Sequence, residues 1–305
     1  MTTDPAAAPP LEPARPAIPI PWAAIIWLFA LVAVCYLPIL TRLVRHWDSD
    51  DNMGHGFFVF PLAVYIAWQK RDEIFGHEFK KNWFGLVIMA WGIFQELVGS
   101  LGAELFLQRT AFVITLAGMV LFLGGGKLFR ILLFPLFLTC FMVPLPAVIF
   151  NQITFPLQTI ATVAAEETLN LVGYPCVREG HILQLASGPL NVVEACSGIR
   201  SLLSLTFLSL VYGYFFEAST TIRGIIFFST IPIAIATNGL RVTLTGVISE
   251  HDKALAQGLF HDMEGWVIFM IALFILIGFH RILVWFTKGV VNARAARPAE
   301  PQESE

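Results

Sequence analysis

The sequence predicts an all-α polytopic membrane protein of about eight transmembrane helices, with a small extracytoplasmic helix and a β-hairpin inserted before the sixth. Three observations predict it. Of the 305 residues, 56% are hydrophobic and only 13% charged, about half the ~25% charge of an ordinary soluble domain. Apolar runs of roughly 20 residues, the length needed to cross a ~30 Å hydrocarbon layer, recur along the chain. The polar residues gather in loops, tails and one long segment, 150–196. The net charge of −3 says little about partners, because the charges sit in loops and tails. No basic stripe with interleaved aromatics points to nucleic acid; the surroundings implied are the lipid bilayer.

In chain order the apolar segments are 22–40, 56–69, 83–101, 108–124, 128–150, 197–216, 222–247 and 265–287. The second is the shortest, and length alone does not fix whether it crosses. Residues 1–21, rich in Pro and Ala, and 289–305, ending Pro-Ala-Glu-Pro-Gln-Glu-Ser-Glu, read as disordered cytoplasmic tails flanking one transmembrane domain, 22–288. The first apolar run is long, weakly basic in front and followed by further spans, so it reads as a retained helix, not a cleaved signal.

Lys and Arg in short loops set the orientation. Lys70, Arg71, Lys80 and Lys81 mark one loop as cytoplasmic, and Lys127, Arg130, Arg223, Lys288, Arg294 and Arg297 fall on the same side if all eight segments cross. Both termini are then cytoplasmic. The opposite side receives Arg42, Arg45, Arg109, Arg178 and Lys253, together with segment 150–196.

Within that segment, Asn151 to Val172 carries Gln152, Gln158, Glu166 and Glu167 among apolar residues, the pattern of an amphipathic helix at the interface. Val177 to Leu185 and Leu190 to Val193 alternate about Ser187-Gly188-Pro189, which signals a hairpin. The hairpin delivers Cys196 to the outer end of the sixth helix, with Ser197 placed to cap its first turn.

Glu194-Ala195-Cys196-Ser197-Gly198-Ile199-Arg200-Ser201 sets a thiol and a guanidinium four residues apart where a polar stretch becomes an apolar helix. A nearby positive charge and a helix N-terminus both favour thiolate over thiol. Arg241 lies 18 residues beyond Arg223, about 27 Å along a helix and so near the outer face. His261 falls in the last polar loop, four residues before Gly265-Trp266 opens the eighth helix. Three outer helix ends thus bring Cys196, Arg241 and His261 to one depth. Cys with His is the minimal pair for thiol nucleophilic catalysis. An intramembrane arginine points to a functional role: Arg241 either stabilises an oxyanion or holds a substrate carboxylate. The chemistry permitted is acyl transfer on a peptide bond.

Val192 to Ser201, then Pro232 to Val242 with Asn238-Gly239-Leu240-Arg241, then Gly258-Leu259-Phe260-His261-Asp262, resemble the exosortase/archaeosortase family. Trp47-Asp48 with His55-Gly56, and Gly173-Tyr174-Pro175 with Arg178-Glu179-Gly180, are similar to it too. The resemblance covers about 47 to 270, and the Cys-Arg-His order is its specific part. It implies an inner-membrane cysteine protease and transpeptidase that cleaves C-terminal sorting signals of exported proteins at the periplasmic face. Cys196 would be the nucleophile, Arg241 the stabilising arginine and His261 the acid/base. The implied partners are membrane-anchored tails with a Pro-Glu-Pro-like motif (PEP-CTERM-like), a membrane helix and a basic cluster, in Gram-negative bacteria that make exopolysaccharide. One position departs: Gly239 stands where many members carry a bulkier or basic residue.

Glu194, Arg200, Asp262, Glu264 and His55 form a second tier. Arg200 can lower the Cys196 pKa by charge, and Asp262 or Glu264 can orient His261. His55 either lines the same outer cavity or simply opens the second helix. Cys35 and Cys140 read as packing. Cys176 shares the outer side, where a disulfide with Cys196 competes with the reactive reading, although a structural bridge needs no Arg or His nearby. His280 lies too deep to join the site. Gly124-Gly125-Gly126-Lys127 lacks the strand and the Ser or Thr of a phosphate loop. The Cys and His spacings fit no zinc template, so neither metal nor cofactor is predicted.

A second function class is an envelope polysaccharide transporter or flippase with Arg241 as its anion site. It calls for paired hydropathy repeats with helices broken at the midplane. No clear repeat is present, and the polar groups gather at one face, which favours the enzyme.

Overall fold

The computed structural model describes residues 22–76, 78–192, 198–252 and 259–295. Their order is α1 (Trp22–Ser49), α2 (Gly56–Gln69), α3 (Arg71–Phe75), α4 (Trp83–Leu101), α5 (Leu105–Leu138), α6 (Ala147–Val172), β1 (Cys176–Glu179), β2 (Ile182–Leu185), β3 (Gly188–Asn191), α7 (Ile199–Phe216), α8 (Thr220–His251) and α9 (Leu259–Ala295). The protein is an all-α polytopic membrane protein with one small sheet. Among the described residues seven helices are long and apolar enough to cross a membrane: α1, α4, α5, α6, α7, α8 and the Gly265–Thr287 part of α9.

Seven rather than eight has three local causes. The expected second span is α2, only 14 residues, about 21 Å and short of a hydrocarbon layer. The expected fourth and fifth spans are two arms of α5, broken at Gly125, whose φ of 67° and ψ of −170° interrupt the helix. The stretch expected to lie at the interface is instead α6, a 26-residue helix apolar enough to span. At the far end α9 continues to Ala295, past the expected start of the C-terminal tail at 289.

Chain ends explain where several helices start and stop. The Asn82 side chain accepts from Phe84 N–H and that of Glu104 from Leu107 N–H, capping α4 and α5 at 3.0 and 2.7 Å. Gly173, at φ 95°, closes α6 in the left-handed conformation, and Tyr174 N–H then donates to the Leu169 carbonyl at 2.9 Å.

The chain divides into two compact units. One holds α1 to Val44 and residues 58–143. Its centre is the antiparallel pair α4 and α5, where Gly85, Gly92 and Gly99 meet Gly118, Thr115 and Gln108, the small-residue contact by which membrane helices approach closely. The Tyr36 hydroxyl of α1 hydrogen-bonds Thr115 at 2.8 Å.

The other unit holds residues 45–57 and everything from 144 onward. Its sheet has the order β1-β2-β3, both pairs antiparallel, with Cys176 opposite Leu185 and Leu185 opposite Gly188. The expected Ser187 hairpin is the β2–β3 pair, and a further strand, β1, turns back at Gly180, φ 66°. One sheet face buries Cys176, Leu183, Leu185 and Val192 against Ala161, Ala165 and Leu169 of α6 and Val242 of α8. A separate cluster joins Leu205 of α7, Ile226 and Ile233 of α8, and Ala272 and Leu276 of α9. On α9, Trp266 and Trp285 are 73% and 71% exposed. Nineteen positions separate them, about 28 Å of helix, close to the thickness of a hydrocarbon layer.

Candidate functional site

Helix α8 is the spine on which the candidate residues are arranged. α7 runs antiparallel to it: Gly213 packs on Arg223, Thr206 Oγ1 lies 3.3 Å from Thr230 Oγ1, and Gly198 meets Asn238. Equal steps along both helices hold this register from end to end. α6 follows α8 in the same sense where they touch, because Ala164 meets Gly239 and Leu169 meets Gly246. The departure at Gly239 therefore has a packing reason: a Cβ there would stand 3.5 Å from that of Ala164.

One end of the unit collects the polar residues. Gly198 opens α7 in the left-handed conformation, φ 68° and ψ −19°, with no side-chain cap. The expected cap, Ser197, lies outside the described residues, and the N-cap position itself is Gly198. Asn238, only 4% exposed, sets its carboxamide on Gly198: a Cβ built there would stand 2.7 Å from Nδ2 and 2.8 Å from Cγ. Three residues on, Arg241 shares that helix face and turns to α9, where a Cβ on Gly265 would lie 3.4 Å from Nη2. Arg241 thus sits level with Gly265 and Trp266 of α9.

His261 is not in a loop. α9 already begins at Leu259, so His261 lies on its first turn, one turn before Gly265, and Asp262 follows on the same turn. Cys196 and Glu194 lie outside the described residues. Their chain neighbours are placed: Val192 shares a buried cluster with Val242, and Gly198 lies on Asn238. Gly198 thus packs on α8 at Asn238, and Val192 lies in the buried cluster to which α8 contributes Val242.

The second tier divides. Arg200 donates from Nη2 to the Asp51 carboxylate at 2.9 Å, an exposed pair that ties the start of α7 to the loop after α1. His55, in that loop, is 9% exposed and its ring centroid lies 6.0 Å from that of Phe207. Cys176 is a buried free thiol in the core beneath the sheet. Burial, then the carboxylates of Glu166 and Glu250, push its pKa up, the opposite of a reactive cysteine. His280 is at the far end of the unit, where Nδ1 and Nε2 meet the Tyr212 hydroxyl at 2.8 Å and Glu217 Oε2 at 3.1 Å. Among the described residues no three His, Cys, Asp or Glu side chains come together as a metal site. Sequence reasoning overlooked Asn238, Gly265 and Asp51. Only Asn238 left a signal, a carboxamide about one helical turn before Arg241 in a membrane-length segment.

Fold and site together define a polytopic α-helical membrane protein with an arginine and a histidine-bearing helix start gathered at one membrane edge beside a small sheet. The family model of the transmembrane exosortases matches residues 47–278, well over half of the chain. The chain belongs to the transmembrane exosortase family. No curated protein and no solved structure matches it.

Proposed function

We propose that the protein is a membrane cysteine peptidase or transpeptidase that cleaves the C-terminal, PEP-CTERM-like sorting signals of exported proteins at the outer face of the inner membrane. The observation that carries this reading is the turn of α8 from Asn238 to Val242. It packs on Gly198, contributes Val242 to the buried cluster that holds Val192, and sends Arg241 to the α9 turn that follows His261. The positive end of α9 opens beyond Arg241, and such an end favours anions.

In this reading His261 takes the Cys196 thiol proton, and the sulfur adds to the scissile carbonyl carbon. The Arg241 guanidinium stabilises the oxyanion that results. Collapse breaks the C–N bond, and His261 returns its proton to the departing amine. Water or a second amine then attacks the thioester with His261 as base, which releases an acid or a new amide and restores the thiol. Lys70, Arg71, Lys80 and Lys81 in one short loop support a cytoplasmic assignment for that loop; with the spans from α4 to α9 this gives a cytoplasmic C-terminus and a periplasmic site, whereas a cytoplasmic N-terminus would require α2 to cross as well.

The test is Cys196→Ser with a reporter that carries a candidate sorting tail. Loss of processing with normal membrane insertion supports the enzyme. Unchanged processing would sink it. A membrane-impermeant thiol reagent should reach Cys196 from the outside, and protection of Cys196 by cytoplasm-only access would reverse the topology.

A further inference from the structure

We propose that Arg109 of α5, with Arg42 of α1, binds the phosphate of an anionic lipid headgroup at the membrane edge marked by the α4–α5 turn. The site lies wholly within the first unit and is independent of the reading of Cys196. Arg109 is only 6% exposed, yet among the described residues no hydrogen bond or ion pair reaches its guanidinium. A charge inside a membrane protein is costly and ordinarily paired. Glu104 acts on it electrostatically, but that carboxylate caps α5, accepting from Leu107 N–H at 2.7 Å. An arginine that merely snorkelled would lie exposed along its length. Arg109 is instead held inside the fold with five donors and no protein acceptor for them.

The depth of the site names the ligand. α4 has 19 residues, about 28 Å, so its ends mark the two edges of a hydrocarbon layer. Gly99 packs on Gln108, which places Arg109 about level with Val98, roughly 5 Å below Leu101. Side chains on a helix lean toward its N-terminus, so the guanidinium is carried back toward Leu105 and that edge. There the phosphates of a bilayer begin. Arg42 reaches the same level. Trp22 at the start of α1 meets Phe75, 5.8 Å between ring centroids, beside Ile74, which packs with Val120 and Leu128 of α5; α1 therefore runs antiparallel to α5. From the contact of Tyr36 with Thr115, Arg42 is six residues onward and Arg109 six residues back, both about 9 Å toward the α4–α5 turn. Arg42 is exposed and, among the described residues, unpaired. Leu97, Leu101 and Leu105 are exposed at the same end, an apolar skin for acyl chains. One buried and one exposed guanidinium suit a phosphate, whose oxygens accept from the planar fork of arginine.

The test uses the full-length protein purified in neutral detergent, read by thermal unfolding and native mass spectrometry, with phosphatidylglycerol, phosphatidylcholine and inorganic phosphate as probes. Phosphatidylglycerol should raise the unfolding temperature of the parent and stay bound in the spectrometer, and phosphatidylcholine should do so less. Arg109→Gln should weaken that capture about tenfold, the scale of a charge-assisted pair of hydrogen bonds. Arg42→Gln, at an exposed position, should weaken it less. Without lipid, Arg109→Gln should unfold no earlier than the parent, because it removes a buried charge that the protein itself does not pair. A purely structural arginine would give the opposite sign, with earlier unfolding whether or not lipid is present, and that result overturns the inference. Equal capture by the parent and Arg109→Gln overturns it too. If inorganic phosphate alone reproduces the shift, the ligand is a soluble anion and the lipid assignment fails. Should Arg109→Gln not accumulate, Arg109→Lys keeps the charge and loses the fork: weaker capture supports the site, and capture equal to the parent's overturns it.

Discussion

The guanidinium of Arg241 lies against the backbone of Gly265, with Nη2 and Cζ 3.4 and 3.6 Å from the place a Cβ would take. An arginine near the end of a membrane helix commonly snorkels toward the interface. Here it turns sideways onto a neighbouring helix, one turn beyond His261. The distance between the charge and that histidine's helix turn is therefore set by the contact of α8 with α9.

Gly265 should accordingly tolerate one carbon and no more. Gly265→Ala places its methyl at ordinary contact distance and should process a tail-bearing reporter within a few-fold of the parent. Gly265→Leu displaces the guanidinium and should lose about a hundredfold at unchanged membrane abundance. Equal activity of the two variants, with equal abundance, would separate Arg241 from the chemistry.

Gly239 gives a second graded series. Its Cβ position stands 3.5 Å from Ala164, so Gly239→Ala should be nearly neutral. Gly239→Leu must part α6 from α8 and should cost about 2 kcal/mol, as overpacked cores do. Thermal unfolding in detergent measures it, and a Leu variant as stable as the parent would contradict the α6–α8 contact.

How much of this was legible in the sequence depended on whether the cause was local. The start of α4 and the break at Gly125 follow from the Asn82 cap and from glycine, both local, whereas α7 opens at Gly198 without the side-chain cap expected of Ser197. α6 misled because Gln152, Gln158, Glu166 and Glu167 read as an interfacial face. Within the fold Gln158 is buried, Thr162 Oγ1 donates to the Gln158 carbonyl at 2.6 Å, and Glu166 accepts from Arg178 of the sheet. Thr162 and Glu166 are satisfied by neighbours that hydropathy does not see. The order Cys196, Arg241, His261 was visible as a pattern, whereas the pairing of Asn238 with Gly198 joins positions 40 residues apart and leaves no local trace.

Cys176 should behave as an inert thiol. It is 5% exposed and its pKa is raised by burial, Glu166 and Glu250, so at neutral pH it carries almost no thiolate and offers no access. In a Cys196→Ser background, a water-soluble maleimide should leave Cys176 unmodified until the protein is unfolded. Cys176→Ala should retain processing and lose about 1 kcal/mol of stability from the small cavity. Loss of processing in a folded Cys176→Ala protein would assign this thiol a role in the chemistry.

The end of the unit opposite the candidate site makes the last prediction. Glu217 accepts from Ser219 N–H at 2.7 Å and meets His280 Nε2 at 3.1 Å, and these contacts hold its carboxyl below the ordinary carboxylate value. A group with a lowered folded pKa stabilises the fold above its unfolded pKa and loses that contribution as pH falls through the folded value. Glu217→Gln keeps the shape but removes the charge from a site that ties the end of α7 to the start of α8 and to His280 within α9. It should cost about 2 kcal/mol at neutral pH, the scale of a buried hydrogen bond left poorly matched. The gap between parent and variant should close as the pH falls below the usual carboxylate range, because the parent's Glu217 then protonates and comes to resemble the amide. Thermal unfolding in detergent across that range reads the gap directly, and a difference that stays constant with pH would show that the carboxylate charge contributes nothing there.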